Sequence, residues 1–592
     1  MRHTLAAALS AGLLLSLPAA PALAGEPFMP LSEVRTGSVC QAASVIRGES
    51  VTTFNAEVLD VIVGPQPDMS RILIRVSGPA VDETGVGPGF SGSPVRCPRA
   101  DGSFAIAGAI SEGIGEYGGK VLLATPIEPI LAEPIDPPLV RPRTAPKAPV
   151  VAVTGATPLA GPLTLAGISG PVASTLRAAA KKAGRQLITT GARPRQAPAL
   201  GGTPTPFVPG SAVFAGLSSG QVGLGALGTV AYTDGAKTWA FGHPFDGAGR
   251  RALFMQTARI SSIIFNPVGT AELSTYKLGE PVADAGIVSG DGVSAITGTT
   301  GIAPPSYPMR VLAQDLQTGR NQTLTARIAD ESTVGQPSGV SAFGIVSTAT
   351  AGTLASTVLK GGTPGRSSGE MCVRLRVKQV KRELRFCNRY VMGAGTPAMG
   401  IASPVMSDLT SAAGLLDSYE FAPIEPTDLQ IALRLRRGTT QSFVDSVDAP
   451  STVRRGRTYT LRLRLRRATS GRVTTKRIRF RVPRSAPRGS RLLTVTGPGA
   501  ELSGGEDELF AELGSLFGLS EGSGSGGPDT PNELAEAFED LGRYDGLTLS
   551  FPSEEDLESE DPEDAEPDDG TELYRDPQLR LSGQARTPVT VR

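Results

Sequence analysis

Strict alternation of apolar and basic residues is the pattern that most constrains this chain. The stretches YTLRLRLRR (459–467), KRIRFRV (476–482) and MCVRLRVKQV (371–380) place an apolar residue at almost every second position, with Arg or Lys between. Successive side chains of a strand point to opposite faces, so this period predicts antiparallel strands with one buried face and one basic face. We therefore predict a β-sandwich-like domain over 366–592.

Two earlier blocks, 25–133 and 208–348, also consist of short alternating segments separated by turns. The composition fits many short strands, because Gly 72 and Pro 49 are high counts while aromatic residues make up only 5%. A chain of 592 residues is too long for one core. The sequence predicts a mainly β protein of several domains. Its formal net charge of zero gives no overall attraction to nucleic acid, so no nucleic-acid partner is expected.

Two segments depart from the strand pattern. Residues 134–207 form a Pro-rich linker that contains one predicted amphipathic helix, GPVASTLRAAAKKAGRQL (170–187). The acidic run SEEDLESEDPEDAEPDDG (553–570) is too highly charged to fold alone and predicts a disordered excursion over about 500–575. Three interpretations stay open: the acidic run attracts the basic sheet, the two are solvated separately, or the basic sheet binds a polyanion.

The first 25 residues, MRHTLAAALSAGLLLSLPAAPALAG, combine a basic start, an apolar middle and a small-residue ALA before Gly25. These features predict a signal peptide, 1–24, and a secreted or extracytoplasmic protein. No other stretch is long and apolar enough to predict a transmembrane segment.

The four cysteines suit an oxidising compartment. Pairing Cys40 with Cys97 and Cys372 with Cys387 keeps each predicted disulfide within one domain. Zinc binding is the alternative, but the chain has no CxxC pair and no histidine near the cysteines. We therefore predict neither a metal site nor a cofactor.

The stretch GPGFSGSPV, Gly87 to Val95, carries the chemistry that the sequence suggests. Such a cluster is usually an ordinary turn. A nucleophilic serine also needs a tight turn that displays its hydroxyl, with backbone N–H groups nearby to bind an oxyanion. The pattern Gly-x-Ser-Gly-x-Pro is that of trypsin-like serine peptidases around their nucleophile. On that pattern Ser91 is the nucleophile, and the N–H groups of Gly89 and Ser91 form the oxyanion hole.

A serine nucleophile needs a base, most often histidine. His3 lies in the predicted signal peptide, which leaves His243 in WAFGHPFDG as the candidate. A lone histidine is more often structural than catalytic. His243, however, follows a predicted strand at a glycine turn, where a base can be displayed.

The surroundings of both residues resemble the stage IV sporulation protein B serine peptidases. FNAEVLDVI, ILIRVSGPAVDETG and GPGFSGSPV are similar to the Ser-containing half of that family, and GALGTVAYTDGAKTWAFGHPF is similar to the His-containing half. YKLGEPVADAGIVSGDGVSAITGTTG (276–301) is similar to the segment after that histidine. The resemblance implies a trypsin-type double β-barrel, permuted here because the Ser half precedes the His half. It also implies a Ser–His–Asp triad that acts in regulated extracytoplasmic proteolysis.

The third member of the implied triad departs from the family pattern. The position of the family's aspartate matches Ser77 in this chain. Asp82, Asp246 and Asp291 are the candidates to replace it, and Asp291 is preferred because it lies in the family-like segment after His243. A Ser–His dyad of reduced activity is the alternative.

The function expected on this basis is a secreted serine endopeptidase that acts on protein or peptide substrates. The competing hypothesis is a binding or scaffold protein on a catalytically decayed peptidase fold, with the missing aspartate as its signature. A third is a surface adhesion module dominated by the C-terminal domain. The sequence determines neither the substrate specificity nor the oligomeric state.

Overall fold

A computed structural model describes most of the chain. The described residues are 25–114, 119–138, 156–159, 162–191, 206–265, 275–334, 340–359, 366–392, 399–498, 506–518, 527–553 and 571–592. The predicted signal peptide, 1–24, and the acidic run beyond Ser553 lie outside them. Strands dominate the described residues, which confirms the prediction of a mainly β protein.

The first block is a closed barrel of six strands. Its elements are β1 Val39–Val45, β2 Val51–Ile62, β3 Arg71–Ser77, β4 Pro94–Pro98, β5 Phe104–Ile114 and β6 Val121–Pro126, followed by the helix α1 Ile127–Ala132. The pairing order is β4-β1-β2-β3-β6-β5, and β4 also pairs with β5, which closes the ring. Alternate residues such as Ile72, Ile74 and Val76 fill its interior. A three-residue strand, β7 Ala156–Pro158, adds to β5 on the outside of the ring.

A second ring of six strands follows. Its region comprises β8 Leu163–Ala166, α2 Gly170–Lys182, β9 Leu187–Thr190, β10 Ala212–Gly216, β11 Ser218–Gly220, β12 Gly223–Asp234, β13 Lys237–Ala240, β14 Gly249–Phe265, β15 Thr275–Asp291 and β16 Ile296–Thr300. The ring runs β10-β14-β15-β16-β13-β12, and β12 pairs back to β10. The predicted linker helix is present as α2. Strands β8 and β9 of the same linker extend this second sheet beyond β12.

A third sheet crosses the domain boundary that the sequence suggested near 348–366. Its new elements are β17 Ser306–Asp315, β18 Asn321–Ala329, α3 Ala342–Thr357, β19 Ser367–Val377, β20 Leu384–Met392, α4 Ala402–Asp417 and β21 Pro426–Arg437. The strand order is β11-β18-β17-β21-β19-β20. Strands β17 and β21 pair in parallel, with Met309 opposite Leu429. The first alternating basic segments therefore belong to a sheet shared with the second block.

The remaining strands form two sheets that share one apolar core. The strands are β22 Gln441–Asp448, β23 Thr452–Val453, β24 Thr458–Arg467, β25 Val473–Arg481, β26 Gly489–Thr496, β27 Leu547–Ser550, β28 Thr571–Tyr574, β29 Arg580–Ser582 and β30 Gln584–Val591. The helices α5 Glu506–Ser515 and α6 Pro531–Asp540 follow β26 in the chain and pack on the core of the second and third sheets instead. The sheet orders are β25-β24-β22-β29 and β23-β30-β26-β27-β28. Leu461, Leu463 and Leu465 point into the common core, and the arginines between them are exposed. The predicted excursion over 500–575 thus includes two helices and two strands.

Both predicted disulfides are present. Cys40 and Cys97 bridge the neighbouring strands β1 and β4, and Cys372 pairs with Cys387 across β19 and β20. No described helix has the length and apolar character needed to cross a membrane.

Two apolar clusters join the barrels. In one, Ile106 and Ala109 of β5 pack with Tyr232 and Trp239 of the second ring. In the other, Val45 of β1 packs with residues of β10, β12 and β14. The barrels therefore meet along the faces that carry the Ser91 and His243 turns.

Candidate functional site

Glycines with positive φ shape the Ser91 turn, which lies between β3 and β4. Gly89 has φ +93° and Gly92 has φ +89°, a region that side chains with a Cβ rarely adopt. A Cβ on Gly92 would lie 1.9 Å from the carbonyl oxygen of Thr229. The turn thus requires glycine at position 92, because the second barrel approaches its backbone at that point.

The predicted oxyanion donors are available. The backbone N–H groups of Gly89 and Ser91 have no hydrogen-bond acceptor among the described residues. Thr229 fixes the carbonyl side of the same segment: its N–H donates to the oxygen of Ser91 at 2.8 Å, and its Oγ1 donates to the oxygen of Gly89 at 3.0 Å. Two N–H groups without an acceptor on one turn are the kind of donor that an oxyanion hole requires.

The His243 turn lies between β13 and β14 and is also held in an uncommon conformation. Phe241 has φ 73°, one of two positive values among the described non-glycine residues. Its N–H donates to Thr229 O at 3.1 Å, and Thr125 Oγ1 donates to Gly242 O at 2.8 Å. Backbone conformations of this kind cost roughly 1–3 kcal/mol and persist only where surrounding contacts impose them.

One carbonyl of β5 brings the two turns together. The N–H of Gly92 donates to Ile110 O at 2.8 Å. A Cβ placed on Gly242 would lie 3.2 Å from the same oxygen. The residue after Ser91 bonds to this oxygen, and the residue before His243 passes close to it, so the two turns lie side by side between the barrels.

The reactive atoms of both residues are buried and unpaired. Ser91 is 0% exposed and His243 is 4% exposed. Neither Ser91 Oγ nor His243 Nε2 has a hydrogen-bond partner within the described structure. The other ring nitrogen, Nδ1, lies 2.6 Å from the carbonyl oxygen of Pro244. Because a carbonyl only accepts, Nδ1 carries the proton, and Nε2 presents its lone pair.

Burial lowers the pKa of His243 below its ordinary value. Two nearby groups, the Pro244 carbonyl and the Glu112 carboxylate, favour the charged ring and oppose this shift. Glu112 is itself held by Arg71 and Ser111. The guanidinium of Arg71 donates from Nε at 3.0 Å to each carboxylate oxygen, and Ser111 Oγ donates at 2.6 Å. A neutral imidazole is the form that a general base requires.

Asp291, the predicted third triad member, is hydrogen-bonded to the His243 loop. Its carboxylate accepts from the N–H groups of Phe245, Asp246 and Ala248 at 2.7, 2.8 and 3.2 Å. The buried guanidinium of Arg251 lies 3.6 Å away. The contacts of Asp291 thus fix the loop that carries the histidine, and the ring itself faces the Pro244 carbonyl. A direct catalytic role for Asp291 stays a prediction.

The other carboxylates considered from sequence have partners elsewhere. Asp82 pairs with Lys120 on the surface at 3.3 Å, and Asp246 pairs with Arg185 at 3.1 Å. Ser77 is exposed at the end of β3, opposite Asn55 of β2.

A buried lysine supports the Ser91 turn from the second barrel. Lys277 Nζ lies 2.6 Å from Ser44 Oγ, 3.4 Å from Thr229 Oγ1 and 4.2 Å from the ring centroid of Phe90. Ser93 Oγ donates to Phe90 O at 2.6 Å and lies 2.9 Å from Ser44 Oγ. Burial lowers the pKa of Lys277 to about 7. Ser93 is thus part of a hydroxyl network beneath the turn, whereas Ser91 Oγ is unpaired.

Sequence reasoning did not identify Glu112 and Lys277. Both left a signal, because each is a charged residue within a buried strand pattern: FAIAGAISEGI for Glu112 and TYKLGEP for Lys277. Charged residues are rarely fully buried without a partner or a function, so these positions mark the site.

Comparison with protein-family models, with curated proteins and with solved structures finds no match for this chain.

Proposed function

We propose that the protein is a serine-type endopeptidase with Ser91 as nucleophile and His243 as general base. The observation that carries this proposal is the pair of buried, unpaired atoms, Ser91 Oγ and His243 Nε2, in turns that both lie beside the carbonyl of Ile110. A buried polar atom without a partner costs free energy, so such a pair calls for a functional explanation. The free N–H groups of Gly89 and Ser91 add the oxyanion donors.

The proposed chemistry is acyl transfer. Ser91 Oγ attacks the carbonyl carbon of the substrate peptide bond while its proton moves to His243 Nε2. The oxygen that becomes negative is bound by the N–H groups of Gly89 and Ser91. The C–N bond then breaks and the imidazolium gives its proton to the departing amine. Water then gives a proton to the neutral histidine and attacks the acyl carbon. The bond from that carbon to Ser91 Oγ breaks, the acid leaves, and the imidazolium returns its proton to the serine oxygen.

In the proposed dyad, the orientation of the His243 ring does not depend on a carboxylate hydrogen-bonded to it. The Pro244 carbonyl fixes the Nδ1–H tautomer, and Asp291 holds the loop through three backbone N–H groups. A carbonyl carries no full charge, so it stabilises the imidazolium less than a carboxylate does. We therefore expect slow turnover relative to enzymes with a complete triad.

A fluorophosphonate probe tests the proposal, because Ser Oγ bonds to phosphorus and fluoride leaves only where the serine is activated. The purified secreted chain is incubated with the probe for hours, and the adduct is located by peptide mass spectrometry. We expect the adduct on Ser91, none in Ser91→Ala and strongly slowed labelling in His243→Ala. Ser103→Ala, at an exposed serine of the same barrel, is the matched control and retains labelling.

The second candidate function, a scaffold on a decayed peptidase fold, is favoured by one observation: the ring nitrogen Nδ1 faces a carbonyl where a triad has a carboxylate. The same experiment separates the two functions. If Ser91 resists the probe in the folded wild type and in every folded variant that retains Ser91, the result supports the scaffold and overturns the peptidase.

A further inference from the structure

The outer edge of β5 passes directly beneath the candidate site. Two successive carbonyl oxygens of this strand accept hydrogen bonds from residues outside the barrel strands: Ile110 O from Gly92 N at 2.8 Å, and Ser111 O from Leu159 N at 2.8 Å. Leu159 therefore lies one residue along β5 from the turn that presents Ser91. The backbone of Leu159 also lies near the ring of His243, and it opposes the lowering of the His243 pKa by burial.

The segment before Leu159 continues along this edge as a paired strand. Strand β7 runs antiparallel to β5, with Pro158 opposite Glu112, Thr157 opposite Gly113 and Ala156 opposite Ile114. Within the described residues, β5 is the only strand that pairs with β7. An isolated three-residue strand on a sheet edge has the geometry of a peptide that binds by adding a strand to a sheet.

The side chain of Leu159 lies in an apolar site. Leu159 is 6% exposed and belongs to the same apolar cluster as Phe90 and Ile110, which flank the Ser91 turn. A Cβ on Gly113 would lie only 3.3 Å from Leu159 Cδ2, so glycine at that position leaves the space that the leucine occupies. In strand addition the main chain supplies affinity and such a pocket supplies specificity.

We infer that Ala156–Leu159 is an internal occupant of the peptide-binding edge, which keeps the site closed, and that the substrate displacing it is an extended peptide with a leucine-sized apolar residue opposite Ser111. That the displacing peptide is a substrate rests on the proposed peptidase function. It explains why Ser91 and His243 are both buried. It also gives the Pro-rich linker a role: the linker carries the occupant and tethers it beside the site.

Tethering sets the expected magnitude. A segment on a short linker competes at an effective concentration of order mM, so a free peptide must exceed that level to displace it. Removing the occupant is therefore expected to raise the apparent affinity for a free peptide at least tenfold.

The test uses the full chain with Ser91→Ala, so that bound peptide is not consumed. In one version residues 156–159 keep their sequence, and in the other they carry Ala156→Gly, Thr157→Ser, Pro158→Gly and Leu159→Ser. The probe is a fluorescent peptide ATPLAG, the sequence of residues 156–161. We expect at least tenfold tighter binding to the substituted chain by anisotropy, and no binding of the same peptide with aspartate in place of leucine. Equal affinity for both chains overturns the inference.

A second measurement needs no substitution in the segment. Hydrogen exchange at the amide of Leu159, which donates to Ser111 O, is followed in the Ser91→Ala chain with residues 156–159 unchanged, as ATPLAG is added. Displacement predicts faster exchange at Leu159, with unchanged exchange in β2 as the internal control. Unchanged exchange at Leu159 up to several mM peptide contradicts the inference, even if the four-residue variant fails to fold.

The two proposals fail differently. In the first case, the chain with the four substitutions at 156–159 binds the peptide tightly, but the same chain with its native Ser91 is not labelled by the fluorophosphonate. This result supports the internal occupant and overturns the peptidase. Labelling at the same rate with and without the occupant, together with unchanged peptide affinity, leaves the peptidase standing and removes the occupant.

Discussion

Replacing Lys277 by methionine tests whether an uncharged amine supports the Ser91 turn. Methionine is unbranched and of similar length, so it fills the same space without a charge. The wild-type side chain is 2% exposed, and its Nζ meets the hydroxyls of Ser44 and Thr229 and the ring of Phe90. No carboxylate is paired with Lys277 in the described part of the chain. Burial therefore lowers its pKa from 10.5 to about 7.

The sign of the pH effect follows from proton binding. Between about pH 7 and pH 10.5 the unfolded chain keeps a proton on Lys277 that the folded chain releases, so the free energy of unfolding rises with pH in this window. The slope is about 1.4 kcal/mol per pH unit for one group. Below pH 7 both states are protonated and the slope vanishes. Lys277→Met removes the titrating group, so the wild type should gain about 2–3 kcal/mol relative to the variant between about pH 7 and pH 9.

Urea unfolding with intact disulfides measures this difference. Trp239 is the single tryptophan and lies in the apolar cluster between the barrels, so its fluorescence reports on the structure that contains Lys277. Lys120→Met is the matched control, because it removes the same charged amine from an exposed position of the first barrel instead of a buried one. A constant difference between wild type and Lys277→Met across the same range would refute the reasoning, since it would mean that Lys277 keeps its proton in the folded state.

Three further predictions concern the site. The rate of Ser91 labelling should be half-maximal below about pH 6.5, because burial lowers the pKa of His243 and only the neutral ring acts as base; a midpoint above pH 7 would contradict this. Asp291→Asn should lower the free energy of unfolding by about 3 kcal/mol and slow labelling without moving that midpoint, since its partners are loop N–H groups and Arg251; a shifted midpoint would place the carboxylate on the ring. Gly92→Ala should cost at least about 2 kcal/mol, seen as a lower urea midpoint, because its Cβ would lie 1.9 Å from Thr229 O, whereas Gly102→Ala, at an open turn of similar φ, should cost less.

The sequence predicted the features that depend on local pattern. Alternation located the strands of both barrels, and compartment and spacing gave the two disulfides. The serine turn was recognisable because glycine is needed wherever a backbone has positive φ and a close neighbour, as Gly92 shows. These signals lie within a few residues of one another, so no knowledge of the tertiary structure was needed to detect them.

Other features depend on contacts between distant segments. The parallel pairing of Met309 with Leu429 joins β17 and β21, which no local pattern relates. Because of this pairing, one sheet contains strands from both sides of the expected domain boundary. The sequence did not predict a strand at Ala156–Pro158, which lies in the Pro-rich linker. This segment is a strand because it pairs with β5, and its own composition does not indicate one. Asp291 was chosen for its position after His243, and only the structure shows that three loop N–H groups hold its carboxylate.

The order in which the Ser91 and His243 turns follow one another along the chain has no bearing on the geometry of the site. Thr229 bonds to both turns: its N–H and Oγ1 hold the carbonyls of Ser91 and Gly89, and its own carbonyl accepts from Phe241 N. All of these contacts are made between strands and turns that are distant in sequence, and none involves the segment that connects the barrels. Catalytic constellations recur with their members in different chain orders because chemistry depends on such contacts alone. The connection between the halves is therefore free to take another role, and the pairing of Leu159 with Ser111 beside His243 is what we infer that role to be.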